Sequence, residues 1–562
     1  MRASHLVLPV AFLCMVLAAA ASAERLRIDH YFTFEEMTQA LQELAKAHPD
    51  LARLESIGKS LEGRDLWAFV IANPATGPEA EKAAMYIDGN IHGNEVQGAE
   101  LCLYTIDMLL GEHGKDAYLT RLVDERVFYF IPCVNPDGRA AFMTLPNSPH
   151  SSRGNRRPVD SDDDGLVDED GSDDLDGDGV IRMMRVKDPE GRYKTGSDPR
   201  LLVRCEEFEK GEWRLYDSEG IDNDGDGEIN EDGPGGYDLN RTFPSNWGPK
   251  AEQGGTSPYP LSEPETRALA EWMAARPNIA CVQSYHNNGD LILRPPMIYD
   301  DDRLPRADIE AYDALARRGK QVLPQYDYRQ VFRGLYPVRG GFIDWTYTGL
   351  GAYSFTNEIW DLKQDVNADG RQDELDWLAW NDTVLHGAWW KDWAPYDHPT
   401  LGKVEIGGWS KWAFRIPPAW MLPDVCHRNA TFTLFHAEAM ARVSIGEARV
   451  TREGEAWRVR VPITNAGYLP TVSGQAVNAK LGAPDLAILE GEGLKVLAAG
   501  RVEDAEGLRV TPVLTRPWRV EVPTVKGLST VEVEWLVAGS GEARVTFRSQ
   551  RGGTTRATIS LK

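Results

Sequence analysis

A short apolar strand that leads into a glycine-rich turn constrains this chain more than any other feature. Residues 85–91 read as a buried strand followed by a turn, and the turn carries His92 and Glu95. A histidine and a glutamate three residues apart can bind one metal ion, and His286 is a candidate for a third ligand. A site with three protein ligands keeps a fourth position for water, which distinguishes catalytic zinc from closed structural zinc.

Helices and buried strands alternate along the first part of the chain. Thr33 and Glu36 form a capping box that opens a helix. Strands are predicted at residues 66–71, 84–87, 127–131 and 279–282, and further helices at residues 98–110 and 263–275. This alternation indicates an α/β domain. We expect a turn at residues 135–138, which read Asn-Pro-Asp-Gly.

The pattern changes near residue 440. From there, apolar residues alternate with polar ones in short runs separated by glycine-containing turns. The runs lie at residues 457–463, 531–537, 543–547 and 558–561. They predict an all-β sandwich at residues 441–562. Residues 396–440, which include Pro417 and Pro418, are expected to be an irregular connecting segment.

The chain is expected to be exported. Residues 6–20 form an apolar run behind Arg2, and Ala21-Ser22-Ala23 is a small-x-small cleavage signal. Residues 1–23 are therefore predicted to be a signal peptide, since the run is short for a membrane anchor. No later segment is apolar enough to cross a bilayer, so we expect a secreted or periplasmic protein without a membrane anchor.

The acidic residues are concentrated in two stretches. The net charge is −25, and residues 160–179 hold eleven Asp and Glu while residues 217–232 hold eight, without a single Lys or Arg. This acidity argues against a nucleic-acid partner. Cleavage of the signal peptide would leave five cysteines, of which Cys205 and Cys426 could pair, but their spacing does not establish a disulfide.

Further motifs follow the metal turn in order. They are Arg153-Gly154-Asn155, Asp238-Leu239-Asn240-Arg241-Thr242-Phe243, Tyr336, Gly340-Gly341-Phe342-Ile343-Asp344-Trp345 and Tyr353-Ser354-Phe355-Thr356-Asn357-Glu358. With these motifs, residues 30–390 resemble the zinc metallocarboxypeptidases of the carboxypeptidase A type. The resemblance implies a mixed central sheet flanked by helices, in a catalytic domain at residues 24–395, and one zinc ion as cofactor.

The resemblance also implies a role for each matching residue. In chain order these roles are zinc ligation by His92 and Glu95, polarisation of the scissile carbonyl by Arg153, binding of the substrate's C-terminal carboxylate by Asn240 and Arg241, zinc ligation by His286, closure over that carboxylate by Tyr336, and general-base catalysis by Glu358. The planar fork of an arginine suits a carboxylate because it can bind both oxygens. The implied substrates are peptides or proteins with a free C-terminus.

Two residues bear on the preferred substrate. Ile343 falls where the family sets the polarity of its pocket, which favours an apolar or aromatic C-terminal residue. Arg339 lies close in sequence and could instead attract an acidic one.

A long acidic insert, at about residues 158–236, separates Arg153 from Asn240. Three segments in it, and a fourth further on, place oxygen ligands at alternate positions ahead of a glycine, as calcium loops do. The candidate ligands are Asp160, Asp162, Asp164, Asp174, Asp176, Asp178, Asp222, Asp224, Asp226, Asp365, Asn367, Asp369, Asp373 and Asp376. The fourth loop alone has an acid at position 12, which makes it the best single candidate. We expect structural calcium here; the alternative is a disordered acidic loop.

Two other functions stay open. The same site could hydrolyse peptidoglycan peptides that end in D-amino acids or diaminopimelate. The chain could also be a surface-binding protein whose β-sandwich binds the ligand, although the intact set of metal ligands and base argues against this. The sequence does not indicate the oligomeric state.

Overall fold

A computed structural model describes residues 25–160, 165–504 and 509–562. The signal peptide predicted at residues 1–23 lies outside these residues. The described residues form four sheets, of eight, six, six and four strands. No helix within the described ranges has the length and apolar character needed to cross a membrane.

The eight-stranded sheet is mixed and carries the candidate site. In spatial order its strands are Ala52–Lys59, Asp65–Ile71, Val127–Ile131, Ala84–Gly89, Ile279–His286, Tyr353–Glu358, Leu291–Arg294 and Asp327–Gln330. The four central strands run parallel to one another, and both of their outer neighbours are antiparallel to them. The predicted mixed α/β sheet is confirmed.

Both faces of this sheet are covered by helices. Met85 and Ile87 pack into one apolar core, whereas Tyr86, which points to the opposite face, packs into another. Burial on both faces explains why the central strand Val127–Ile131 reads as a continuous apolar run. The helices are Phe34–Ala47, Gln97–Glu112, Ala117–Glu125, Pro136–Thr144, Pro264–Ala274, Arg306–Gly319, Val331–Gly334, Phe342–Thr348, Glu374–Val384 and Leu422–Ala439.

The first helix begins where the sequence predicts it. The turn expected at residues 135–138 does not form. Thr33 and Glu36 make the predicted capping box. Asn135, however, caps a helix by accepting a hydrogen bond from the Gly138 N–H at 2.9 Å, and Pro136 is the first helical residue. Asn followed by Pro suits a helix start because the N–H that Pro lacks has no partner in the first turn.

The acidic insert contributes to a second sheet. In spatial order the strands of this sheet are Trp390–His398, Gly402–Trp409, Met183–Lys187, Trp213–Tyr216, Tyr193–Thr195 and Leu202–Arg204. One of its pairings joins Met184 of the insert to Ile406, far along the chain. The insert is therefore an integral part of the fold.

Residues 396–440 are not the irregular connection that we expected. They contain most of the hairpin just described and the 18-residue helix Leu422–Ala439. Polar side chains such as Asn429, Thr433 and His436 are buried in this helix together with apolar ones. No clean apolar stripe therefore marks the helix in the sequence.

Residues 443–561 form two sheets around one core, as predicted for a β-sandwich. One sheet contains Val443–Ile445, Arg449–Glu453, Ala456–Asn465, Lys495–Val502, Val510–Pro512 and Ser529–Ala538, and the other contains Asp485–Glu490, Arg519–Val522, Gly541–Ser549 and Gly553–Leu561. Val461 and Trp535 of the first sheet pack in the same core as Leu489 and Phe547 of the second. A short helix, Gly474–Ala479, precedes the second sheet.

The cysteines of the described chain are all free. Cys205 and Cys426 are both buried and do not pair.

Candidate active site

Three side chains meet where two neighbouring parallel strands end. His92 and Glu95 follow the strand Ala84–Gly89, and His286 is the last residue of the strand Ile279–His286. All three are at most 3% exposed. His92 Nδ1 lies 2.8 Å from Glu95 Oε1, and His286 Nδ1 lies 3.0 Å from Glu95 Oε2.

The three side chains fit a zinc ion. The Nδ1 atoms of His92 and His286 are 3.1 Å apart, and each lies within 3.0 Å of a Glu95 carboxylate oxygen, so the potential ligand atoms converge on one point. Burial acts to raise the pKa of Glu95, but the two histidines hold that pKa well below its usual range. Two nitrogens and an ionised carboxylate are donors that zinc prefers, so these residues would hold it.

Close backbone contacts fix the turn that carries two of these residues. A Cβ at Gly93 would lie 2.3 Å from the carbonyl oxygen of Ser152, so only glycine fits. The Gly93 N–H donates to the carbonyl of Arg153 at 3.0 Å. Asn90 has a left-handed φ of 56°, and its amide donates to the carbonyl of His92. The turn is therefore docked on the segment that bears Arg153.

Asp238 belongs to the site, although no role was predicted for it. Its Oδ1 lies 3.1 Å from His92 Nε2, and its Oδ2 accepts from Arg153 Nε at 3.2 Å. Burial acts to raise the pKa of Asp238, but Arg241, His92 and Arg153 hold it well below its usual range. The only signal in the sequence is its position directly before Leu239-Asn240-Arg241.

Arg153 lies against the metal-ligand group. Its Nη1 donates to Glu95 Oε1 at 2.9 Å, and its Nη2 is 3.0 Å from His92 Nε2. Burial acts to lower the pKa of Arg153, but Asp238 and Glu95 raise it overall. Arg153 therefore stays a cation beside the metal-ligand group.

Glu358 lies on the strand next to His286. The two residues are paired in register on parallel strands, so their side chains point to the same face of the sheet. Burial and the nearby Glu95 raise the pKa of the Glu358 carboxyl to about 7, although His286 and Arg153 act in the opposite direction. A carboxyl group with such a pKa can accept and return a proton near neutral pH.

The other predicted substrate-binding residues line the same cavity, which has a volume of about 220 Å³. Asn240 Oδ1 accepts from the Phe342 N–H at 2.8 Å, and Arg241 is 8% exposed. Ile343 is buried in an apolar wall, whereas Tyr336 is 53% exposed at the rim. Arg339 instead pairs with Glu252 at 2.9 Å. The cavity thus has a cationic end and an apolar pocket.

Arg415 also lines this cavity, although no sequence motif indicates it. It lies beyond every motif that the resemblance covers, in a segment that we expected to be irregular. Its position depends on how residues 410–418 pack, which no local pattern encodes.

The calcium candidates are only partly brought together. Three groups of carboxylates have ligand atoms within 4.8 Å of one another, namely Asp174, Asp176 and Glu219; Asp170, Asp224 and Glu231; and Asp222, Asp224 and Asp226. Lys391 donates to both Asp176 and Asp178, and Arg182 also donates to Asp178. Asp162 and Asp164 lie outside the described residues, and Asp160 accepts from the Gly165 N–H.

The fourth calcium loop shows a different arrangement. Asp376 accepts from the N–H groups of Val366 and Asn367 and, with Asp373, caps the helix Glu374–Val384. Asp365 and Asp369 likewise bond backbone N–H groups of their own loop. Among the described residues, this loop does not form a cluster of three carboxylates that could hold a metal ion.

Comparison with protein families gives two matches. Residues 37–370, more than half of the chain, match the family described as zinc carboxypeptidase. Residues 442–560 match a domain of unknown function.

Individual relatives match over short stretches. Carboxypeptidase D of Homo sapiens is 40% identical over 110 residues, which is 19% of this chain and 8% of that protein. A zinc carboxypeptidase of Saccharothrix mutabilis subsp. capreolus is 34% identical over 128 residues, or 23% of this chain and 29% of the relative. The chain thus matches less than a third of the length of these relatives.

Solved structures resemble the chain more distantly. Thrombin activatable fibrinolysis inhibitor gives a TM-score of 0.46 at 18% identity, covering 73% of this chain and 74% of that one. Carboxypeptidase A from Helicoverpa armigera gives a TM-score of 0.44 at 19% identity, covering 75% and 79%.

Proposed function

Because this chain belongs to the zinc carboxypeptidase family, we propose that it hydrolyses the C-terminal peptide bond of peptides or proteins. One observation carries the proposal: His92, Glu95 and His286 share a single cavity with Arg241 and an apolar pocket. A buried arginine beside a metal-ligand group supports cleavage at a chain end, because it offers a binding site for a free carboxylate. Ile343 in the pocket supports an apolar or aromatic C-terminal residue.

In this reaction we assign the following roles to the residues of the cavity. Asn240 and Arg241 bind the terminal carboxylate, and Tyr336 closes over it from the rim. Arg153 donates to the scissile carbonyl oxygen and stabilises the negative charge that develops there. Glu358 takes a proton from the attacking water and delivers it to the leaving amine. Bound zinc would supply Lewis acidity, which polarises a carbonyl and acidifies a water molecule.

The test is hydrolysis of N-blocked dipeptides that end in Phe, Leu, Lys, Glu or D-Ala, each as the free acid and as the amide. We expect release of Phe or Leu from the free acids only. Glu358→Gln should lower kcat by about 10²- to 10⁴-fold while zinc content stays at one ion per chain. Glu310→Gln, at a side chain that is 64% exposed, is the matched control. Cleavage of amides as fast as acids, or full activity of Glu358→Gln, would contradict the proposal.

We propose in addition that the chain is exported, on the strength of the apolar run at residues 6–20 and the cleavage signal at Ala21-Ser22-Ala23. N-terminal sequencing of the protein from the producing cells should give Glu24 as the first residue. A first residue of Met1 would contradict it.

We propose calcium as a structural cofactor of the insert. Asp174, Asp176 and Glu219 support a site because their oxygens converge, and burial together with the two aspartates raises the pKa of Glu219 to about 7. A divalent cation would relieve this repulsion.

The calcium test measures thermal unfolding with added calcium, with EGTA and with calcium restored, while bound zinc is quantified. Calcium should raise the Tm of the wild type, since a ligand that binds only the folded state stabilises it. Asp174→Asn should remove much of this shift, whereas Asp369→Asn, in the loop without a cluster, should keep it. A wild-type Tm that ignores calcium would show the proposal to be wrong.

A further inference from the structure

A third arginine lines the catalytic cavity from outside the segment that matches the peptidase family. Arg415 follows residue 370, where that match ends, yet it borders the cavity together with Arg153 and Arg241. Its Nε donates to the carbonyl of Pro149 at 2.8 Å, and its Nη2 bonds His150 Nδ1 at 2.8 Å. Pro149 also accepts from Asn94, inside the metal turn.

The segment around Arg415 is held firmly. Phe414 has a left-handed φ of 61°, an uncommon and costly conformation for a bulky residue. Its ring packs on Trp377 and Trp409, with centroids 4.8 and 5.0 Å apart. The buried Lys411 donates to the carbonyls of Phe142 and Leu145. These contacts select one backbone path, and that path brings Arg415 to the cavity.

Arg415 differs from the other two arginines in its charge balance. Arg153 pairs with Glu95 and Asp238, and Arg241 lies 3.7 Å from Asp238. Arg415 bonds a carbonyl oxygen and an imidazole, and no carboxylate of the described chain forms an ion pair with it. Burial and Arg415 lower the pKa of His150, so the imidazole stays neutral and accepts. Glu95 and Glu358 attract this partly buried cation electrostatically, but neither forms a direct ion pair with it, so the guanidinium keeps the capacity to bind an anion.

The position of Arg415 indicates which part of a substrate it would meet. In the proposed function, Arg241 and the apolar pocket at Ile343 bind the C-terminal residue of the substrate. The scissile bond lies at the metal ligands. Arg415 contacts the segment that packs on the metal turn, through the carbonyl that it shares with Asn94. The substrate residue that precedes the scissile bond would therefore pass this side of the cavity.

We propose that Arg415 is a specificity-determining residue that binds an acidic side chain on the residue preceding the scissile bond. The inference rests on the proposed carboxypeptidase function and names its substrate class: peptides that end in an acidic residue followed by an apolar or aromatic one. The guanidinium, oriented by Pro149 and His150, would bind the carboxylate of that Asp or Glu.

The experiment compares two N-blocked dipeptides, Glu-Phe and Gln-Phe, with free C-termini. The wild type should favour Glu-Phe by about tenfold in kcat/KM, as expected for a charge-assisted hydrogen bond, and salt should reduce this ratio. Arg415→Gln should bring the ratio near one, and Arg415→Lys should give an intermediate value because the charge stays but the fork is lost. The ratio cancels any general change in rate. Arg306→Gln, at a side chain that is 92% exposed, should keep the wild-type ratio.

The outcomes separate this inference from the function on which it rests. Cleavage of both dipeptides by the wild type without preference for Glu overturns the role of Arg415 and leaves the carboxypeptidase intact. A wild-type ratio in Arg415→Gln or Arg415→Lys overturns it as well. Cleavage of neither dipeptide by zinc-loaded wild type overturns both. If Arg415→Gln fails to fold, Arg415→Lys and the salt dependence of the wild-type ratio decide.

Discussion

At the scale of the residue, Asp238 connects the metal-ligand group to the substrate-binding residues. One oxygen lies by His92 Nε2 and also accepts from the Asn240 N–H at 2.8 Å, and the other accepts from Arg153. A carboxylate on the second nitrogen of a ligating histidine fixes its tautomer and ring orientation and raises its basicity as a ligand. Asp238 is therefore a positioning residue for the proposed zinc site.

We expect Asp238→Asn to weaken zinc binding by about 10- to 100-fold. An uncharged amide is a weaker hydrogen-bond acceptor for His92 than a carboxylate is. The substitution also removes one of the two negative charges that pair with Arg153. Zinc affinity is measured by competition with a chromogenic chelator, and Asp424→Asn, at a side chain that is 68% exposed, serves as the control. An unchanged zinc Kd in Asp238→Asn would refute the positioning role.

Short sequence motifs predicted which residues belong to the candidate site. They did not predict residues that become neighbours only through folding. His92 and Glu95 share one turn, and His286 ends a strand, so their types and order indicated a three-ligand group that the fold does bring together. Arg415 approaches from a segment without periodicity, and Glu219 joins Asp174 and Asp176 through folding of the insert. No local sequence pattern specifies such contacts, because tertiary packing determines them.

At the scale of the element, a buried ion pair joins the helices behind the metal turn. Arg139 and Glu100, both completely buried, form a salt bridge between the helices Pro136–Thr144 and Gln97–Glu112. Arg139 also donates to Asn90 Oδ1 at 2.9 Å, and Asn90 in turn holds the carbonyl of His92. The stability of these helices and the shape of the turn therefore depend on one guanidinium.

Arg139→Met should destabilise the fold by about 3–5 kcal/mol, since it leaves Glu100 as an unpaired buried charge. Chemical denaturation monitored by tryptophan fluorescence measures the loss. The double variant Arg139→Met/Glu100→Met should be no less stable than the single variant, because it buries no unpaired charge. A single variant as stable as the wild type would show that the pair is dispensable.

At the scale of the whole molecule, the C-terminal sheets hold the loop between two parts of the site. Residues 349–352 connect the helix Phe342–Thr348, which bears Ile343, to the strand Tyr353–Glu358. Ser473 donates to the carbonyl of Gly351 at 2.8 Å, and Arg551 donates to that of Leu350. The β-sandwich thus restrains the pocket and the proposed base together.

Asp308 is the central acceptor of this contact. It is 1% exposed and accepts from the N–H groups of Gly474 and Gln475 and from the hydroxyls of Tyr347 and Tyr353. Asp308→Ala should lower the free energy of unfolding by about 3 kcal/mol or more, because two buried hydroxyls and two partly buried N–H groups lose their acceptor.

The measurement is thermal unfolding together with limited proteolysis, in which Asp308→Ala should be cut earlier between residues 440 and 480. The exposed neighbour Asp302→Ala is the control and should behave as the wild type does. Equal Tm and equal proteolysis of both variants would refute a role of Asp308 in joining the two parts.

The pairing between the insert and the hairpin also determines the order in which this fold can be completed while the chain is synthesised and, as proposed, exported. Val404 follows its partner Val186 by 218 residues, and at about 5–20 residues per second it is synthesised roughly 10–45 s later. During that time the edge of Met183–Lys187 has no neighbour on this side, and an open strand edge is a template for pairing with other chains. The edge of the insert therefore stays unpaired until the hairpin has been synthesised. We expect the yield of native protein to depend on how well this edge is protected during that time.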